Sequence, residues 1–192
     1  MKNILKQILT ADNVIDSINE NLSTLLEIIP ELKDMIGFEH NHPHHHLDVW
    51  NHTLLALKIS QNDFKIRLCL LLHDIGKPHC YQDFEIRHFK GHAKKSCEIS
   101  HNILVRLNFD ENEIETLCYL INSHDNIIRD NLINTNHCLA KTLFKIQICD
   151  ALAHNPTKLE KRKKYLLHIN EKLNAGIEKE KFISLISNFG NN

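Results

Sequence analysis

An all-α fold, a single-domain helical bundle of about seven to nine helices, is what this sequence predicts, and three observations predict it. Apolar residues recur at the 3.6-residue helical period almost throughout the 192 residues. Gly and Pro, which strands joined by tight turns need, number only 5 and 4. Hydrophobic residues at 42% and charged residues at 24% suit a chain with a real core rather than a disordered one.

The elements follow in order. Ile4, Leu5, Ile8 and Leu9 open a short amphipathic segment, and Val14, Ile15, Ile18, Leu22, Leu25, Leu26 and Ile29 form a longer stripe that Pro30 interrupts. A polar loop spans about 37–47, after which Asp48 caps a helix carrying Val49, Leu54, Leu55, Leu57 and Ile59. The next helix covers about 64–74 and is stopped by Gly76 and Pro78. After a loop over 80–87, Gly91 opens a helix bearing Ala93, Cys97, Ile99, Ile103, Leu104 and Leu107. Asp110 with Glu113 three residues on reads as a capping box for another. Residues 139–154 read helical, Pro156 starts a further helix, and Phe182, Ile183, Leu185 and Ile186 suggest a last short one. Neither a repeat nor a linker divides the chain. The expected organisation is an N-terminal helical extension at 1–36 packing on the core, a core at 37–155, and C-terminal helices of the same domain at 156–192.

Composition narrows the function classes. Lys+Arg 23 against Asp+Glu 24 gives a net charge of -1, without the basic excess of a protein that coats nucleic acid. No run approaches the roughly 18 apolar residues of a membrane span, and the N-terminus has no signal-peptide pattern, so a cytoplasmic location is expected. Six scattered cysteines without a C-x-x-C pair read as reduced thiols, mostly in the core. The outlier is His, 15 in all, which raises a metal or proton-transfer question.

The densest chemical signal is LLHDIGKP at 71–78. Adjacent side chains on a regular helix diverge by about 100°, but at a helix end His73 and Asp74 can converge on one cation. The alternative is a histidine at the helix dipole beside an unrelated Asp. Neutral imidazoles and carboxylates suit Fe, Mn, Ni, Co or Zn, with Mg possible, better than Ca. Such an ion supplies the hydroxide and the positive charge that phosphoester hydrolysis needs.

HDIG, with His52 about twenty residues upstream and Asp150 far downstream, resembles the HD superfamily of metal-dependent phosphohydrolases. The match covers roughly residues 45–155. The resemblance implies an HD-type bundle in which His52, His73, Asp74 and Asp150 hold a first metal. His92 in KGHAKKS and His124 in LINSHDN match the histidines of two-metal families, and Asp74 would bridge to a second ion that they hold. Lys77 is placed to meet a phosphate oxygen, with a solvated lysine as the alternative. The stretches HHHLDVWNHT and RHFKGHAKKSCEISHNILVRLNF are similar to the HD domain of bacterial CCA-adding tRNA nucleotidyltransferases. The sequence has no Gly-Gly pair or D-x-D motif of the transferase head, so the expectation is an HD portion standing alone.

That likeness also makes His88, and His45 or His46, candidates for lining the substrate pocket. The tract His40, His42, His44, His45 and His46 otherwise reads as a polar surface loop, although any histidine tract binds metal adventitiously. Asp125 either orients the His124 imidazole or caps a turn. Trp50 reads as core or pocket wall. His101, His137, His154 and His168 read as surface or packing residues. The basic run Lys158, Lys161, Arg162, Lys163 and Lys164 reads as a solvated helix face.

The expected function is a metal-dependent phosphohydrolase, with Asp74 and Lys77 catalytic, cleaving a nucleotide-type phosphomonoester or cyclic phosphodiester with a metal-activated hydroxide. The alternatives are a dinucleoside polyphosphate hydrolase and, from another class, a non-catalytic RNA-binding or assembly module. A small nucleotide-like phosphate is the expected partner, without a membrane, and nucleic acid enters only under the RNA-binding alternative.

Overall fold

The structure, a computed structural model, describes residues 1–42, 46–82 and 85–174. Among these residues there are ten α-helices, two 3-10 turns and no strand beyond one isolated bridge between Gln82 and His88. The helices are α1 Lys2–Leu9, α2 Val14–Glu20, α3 Leu22–Ile28, α4 Val49–Ile59, α5 Phe64–Leu72, α6 His92–Arg106, α7 Glu111–Ser123, α8 Asp130–Thr135, α9 His137–Leu152 and α10 Pro156–Leu173. The expected helix at 182–186 lies outside the described residues.

The stripe over 14–29 is two helices rather than one. Asn21 divides it by donating its side-chain amide to the carbonyl of Ser17, 2.8 Å away, which competes with continued helical bonding. Asp48 caps α4 by accepting from the Asn51 amide at 2.6 Å, and Asp63 caps α5 through Ile66 at 3.0 Å. The capping box of α7 forms in both directions between Asp110 and Glu113.

α5 is apolar almost all round, and such a helix belongs in the middle of a bundle. Leu68, Cys69, Leu70, Leu71 and Leu72 are wholly buried between α4, α7 and α9. Its one buried charge, Arg67, donates to the carbonyls of Leu9 (2.7 Å) and Ala11 (2.9 Å), tying the end of α1 to the core. Such a charge is tolerated because its donors are spent on carbonyl oxygens.

The chain after α5 turns so tightly that a side chain at residue 76 would have no room. A Cβ on Gly76 would lie 2.5 Å from the Ser96 nitrogen and 2.8 Å from the His92 carbonyl oxygen. The Gly76 amide donates to Ser96 Oγ at 2.9 Å, which seats the first turn of α6 against the turn that carries Asp74. Gly91, at φ +84°, sets the left-handed entry into α6.

Candidate metal centre

Four helix ends and one helix interior deliver the site. His52 comes from the middle of α4, His73 and Asp74 from the end of α5, and His92 from the first position of α6. His124 and Asp125 follow α7, and Asp150 lies in the last turn of α9. All six residues expected as ligands come together. Five of them are almost completely buried and His92 is half-buried.

The four histidines share one hydrogen-bonding pattern. Each turns Nδ1 to a backbone carbonyl: His52 to Ala153 (3.1 Å), His73 to Leu70 (2.7 Å), His92 to Phe89 (3.0 Å) and His124 to Ile121 (2.7 Å). The carbonyls of Leu70 and Ile121 belong to last turns, where helical bonding runs out and carbonyls are available to side chains. With Nδ1–H donated there, a neutral imidazole presents the lone pair of Nε2.

Those Nε2 atoms face two carboxylates. Asp74 Oδ2 lies 3.2 Å from His73 and 3.7 Å from His52, while Oδ1 lies 3.5 Å from His92 and 3.9 Å from His124. Asp150 Oδ1 is 3.0 Å from His52 and 3.6 Å from His73. Asp74 therefore turns one oxygen to each pair of histidines. Asp125 stands on the side of the second pair, its Oδ2 3.1 Å from His92.

The donor set fits a cation. His73 Nε2 and Asp74 Oδ1 are buried without a hydrogen-bond partner, while Asp74 Oδ2 has the Lys77 ammonium beside it, and such buried atoms are costly unless something else satisfies them. The Nε2 atoms of His92 and His124 face each other at 3.2 Å, an arrangement two lone pairs do not favour by themselves. Two groups share Asp74, namely His52, His73 and Asp74, and Asp74, His92 and His124. Burial disfavours charge on the Asp74 carboxyl, yet His73 and Lys77 outweigh it and hold the group well below the usual carboxylate range. Burial likewise opposes charge on His73, but Asp74 and Asp150 win and push its pKa up to about 10. His124 moves the other way, pushed down chiefly by burial.

A cleft of about 270 Å³ opens onto the cluster, lined by Asp74, Lys77, Arg87, His88, His92, His124, Asp150 and Lys158 among others. Lys77 is not a solvated lysine. It is buried, with Nζ 2.7 Å from Asp74 Oδ2 and 3.0 Å from His40 Nε2. His88 is an exposed member of the rim, edge-on to His42. His45 lies outside the described residues, and Trp50 belongs to the core. A larger groove of about 670 Å³ adjoins along Tyr119, Ile127 and Leu132 and shares Asp125 with the cleft.

Three surface readings need correction. His40 is buried rather than part of an exposed loop: its Nδ1 donates to the Leu47 carbonyl at 2.8 Å, and its ring packs against His52 and Phe89. His154 belongs to the site, buried one helical turn past Asp150, with its ring 4.9 Å from that of His52. The D-x-x-x-H spacing carried that signal, since residues four apart share a helix face. The basic run is not wholly a solvated face either. Arg162 reaches Asp150 Oδ2 at 3.2 Å, and Lys158, one turn earlier, enters the cleft.

Residues 44–163, more than half of the chain, match the HD domain family. The chain belongs to that family. HD domains form a superfamily of metal-dependent hydrolases that bind divalent ions, in keeping with the His/Asp groups here. This HD domain is 32% identical over 113 residues to the A-adding tRNA nucleotidyltransferase of Deinococcus radiodurans. It is 33% identical over the same length to the CC-adding tRNA nucleotidyltransferase of Thermus thermophilus. Each match covers 55% of this chain and 26% of the relative, so the chain spans about a quarter of the length of these relatives. No helix among the described residues is long and apolar enough to cross a membrane.

Proposed function

We propose that this HD domain is a phosphohydrolase that cleaves a nucleotide-type phosphoester, either a phosphomonoester or a cyclic phosphodiester. One observation supports it most: the two oxygens of a buried Asp74 face two pairs of imidazole Nε2 atoms beneath a cleft lined by Lys77, Arg87 and Lys158. His52, His73, Asp74 and Asp150 would hold one divalent cation, and Asp74, His92 and His124 a second. Bound there, such cations supply a hydroxide near neutral pH and positive charge for phosphoryl oxygens. Imidazole and carboxylate donors favour Fe, Mn, Ni, Co or Zn.

The chain's own residues do the positioning. The Nδ1–H bonds to backbone carbonyls fix each imidazole plane and tautomer, so no reorientation is needed when a ligand arrives. Lys77, held between Asp74 and His40, directs its remaining proton toward a phosphate oxygen in the cleft. His88 stands at the rim, where the remainder of an ester extends. The nucleotide character of the substrate is supported by the relatives, whose names describe nucleotide addition to tRNA. We assign the catalytic core to residues 37–155, with 1–36 packed on it and 156–192 completing the same domain.

The test is elemental analysis of protein purified without a histidine-affinity step, followed by a panel of phosphate esters. Transition metal with turnover of a nucleoside monophosphate or a 2′,3′-cyclic nucleotide is the expected result. Turnover confined to dinucleoside polyphosphates would assign the other hydrolase, and bound metal without any turnover would favour an assembly module.

A further inference from the structure

The mechanism above leaves one arrangement unused, a second buried histidine–lysine pair beside the metal centre. His40 donates Nδ1–H to the Leu47 carbonyl at 2.8 Å and receives Lys77 Nζ on Nε2 at 3.0 Å. His154 repeats this on the other chain segment. Its Nδ1 donates to the Asp150 carbonyl at 2.7 Å, and its Nε2 receives Lys158 Nζ at 2.5 Å. Both imidazoles are almost wholly buried, and both pack against His52, with ring centroids 5.7 and 4.9 Å away. An imidazole that has donated Nδ1–H offers Nε2 only as an acceptor, so each one anchors an ammonium without adding charge.

We propose that Lys158, set by His154 as Lys77 is set by His40, is a second phosphate-binding ammonium, and that the two select a terminal dianionic phosphate over a diester. This rests on the phosphohydrolase reading. Among the described residues Lys158 forms no carboxylate ion pair; it spends one donor on His154 and keeps two for a ligand. Both ammoniums line the same cleft as Asp74, His92 and His124. The cations Lys77, Arg87 and Lys158 there, together with Arg162 on Asp150, outnumber the carboxylates of Asp74, Asp125 and Asp150. Any bound divalent ion therefore leaves the cleft with surplus positive charge. A terminal phosphate brings two negative charges and three non-bridging oxygens. A diester brings one charge and two such oxygens, too few to serve two ammoniums as well as metal ions.

The experiment compares the metal-loaded full chain with its Lys158→Gln and Lys158→Arg variants. Steady-state kinetics are measured on a nucleoside monophosphate and on the 2′,3′-cyclic nucleotide, and inorganic phosphate binding is measured by calorimetry. For Lys158→Gln, kcat/KM on the monoester should fall about ten- to a hundredfold, in the range of one charged contact, and at least about tenfold further than on the cyclic ester. Phosphate should bind about tenfold more weakly with metal content unchanged, and Lys158→Arg should restore part of both. His154→Ala should weaken phosphate binding in the same direction. Equal losses on the two esters, or unchanged phosphate affinity in Lys158→Gln, would overturn the proposal. Should no ester be turned over, the phosphohydrolase reading fails, while phosphate affinity still decides the role of Lys158.

Discussion

The two halves of the candidate metal centre share Asp74 and little else. On the Oδ2 side stand His52, His73 and Asp150, all fully buried and carried by α4, α5 and α9, the helices that make the core. On the Oδ1 side stand His124, half-buried His92 and exposed Asp125, carried by the first residue of α6 and the chain just past α7. The deep half is part of what holds the bundle together. The open half includes half-buried His92 and exposed Asp125 beside solvent, so it should exchange its ion without disturbing the fold.

The change with the largest expected effect removes what the halves share. Asp74→Asn should abolish hydrolysis and deplete both metals with little loss of helix content, because the amide has no negative charge to divide between two cations. Elemental analysis and circular dichroism on one preparation check this, and full activity in that variant would sink the shared-carboxylate assignment.

Next come the variants that should separate the halves. His52→Ala and Asp150→Ala should empty the deep site, and with it most of the open one. Each also leaves buried polar partners unsatisfied, a cost of about 1–3 kcal/mol that lowers the melting temperature. His92→Ala and His124→Ala should release one ion and keep the other, with the smaller thermal shift for half-buried His92. Metal counts that fall alike in all four would erase the distinction.

Lys77 adjoins the deep half through Asp74 Oδ2. Lys77→Ala should retain metal and lose about tenfold to a thousandfold in activity, the range for one electrostatic contact to a developing oxyanion. Loss of metal together with activity would make Lys77 a support for Asp74 rather than a substrate contact.

The smallest effect is a proton count. Without metal, His73 keeps its proton until about pH 10, since the carboxylates beside it outweigh burial. Coordination near pH 8 must expel that proton, so deep-site affinity should weaken as pH falls, with about one proton released per ion. His124, pushed down by burial, is already neutral there and should contribute none. Calorimetry in buffers of different ionisation enthalpy reads both numbers. The same shift makes a stability statement: the metal-free fold gains from His73 fully below the unfolded pKa of about 6.5 and loses that gain as pH rises through about 10.

Much of this was legible in the residues. The period of the apolar positions gave helices, and Asp48 and Asp110 marked two of their starts because a cap is a local hydrogen bond between near neighbours. The six candidate ligands stood out because motif order survives folding. His40 did not, since its partner Lys77 is 37 positions along the chain, whereas His154 had a local signal in Asp150 four residues before it and only its place against His52 is tertiary. Arg162 was masked in another way. A run of like charges looks solvated from sequence, and only the packing of α10 on α9 turns one of its faces toward Asp150.

The glycine of the HDIG turn acts as a gauge. Because residue 76 has no side chain, the backbone at Ser96 and the carbonyl of His92 sit where a methyl group would otherwise be. The spacing between Asp74 and His92 is thus set by contact between two main chains, a stop far stiffer than any pair of side chains. Two cations sharing Asp74, as proposed, would tolerate little variation in separation, and that tolerance would be machined into the polypeptide by leaving an atom out.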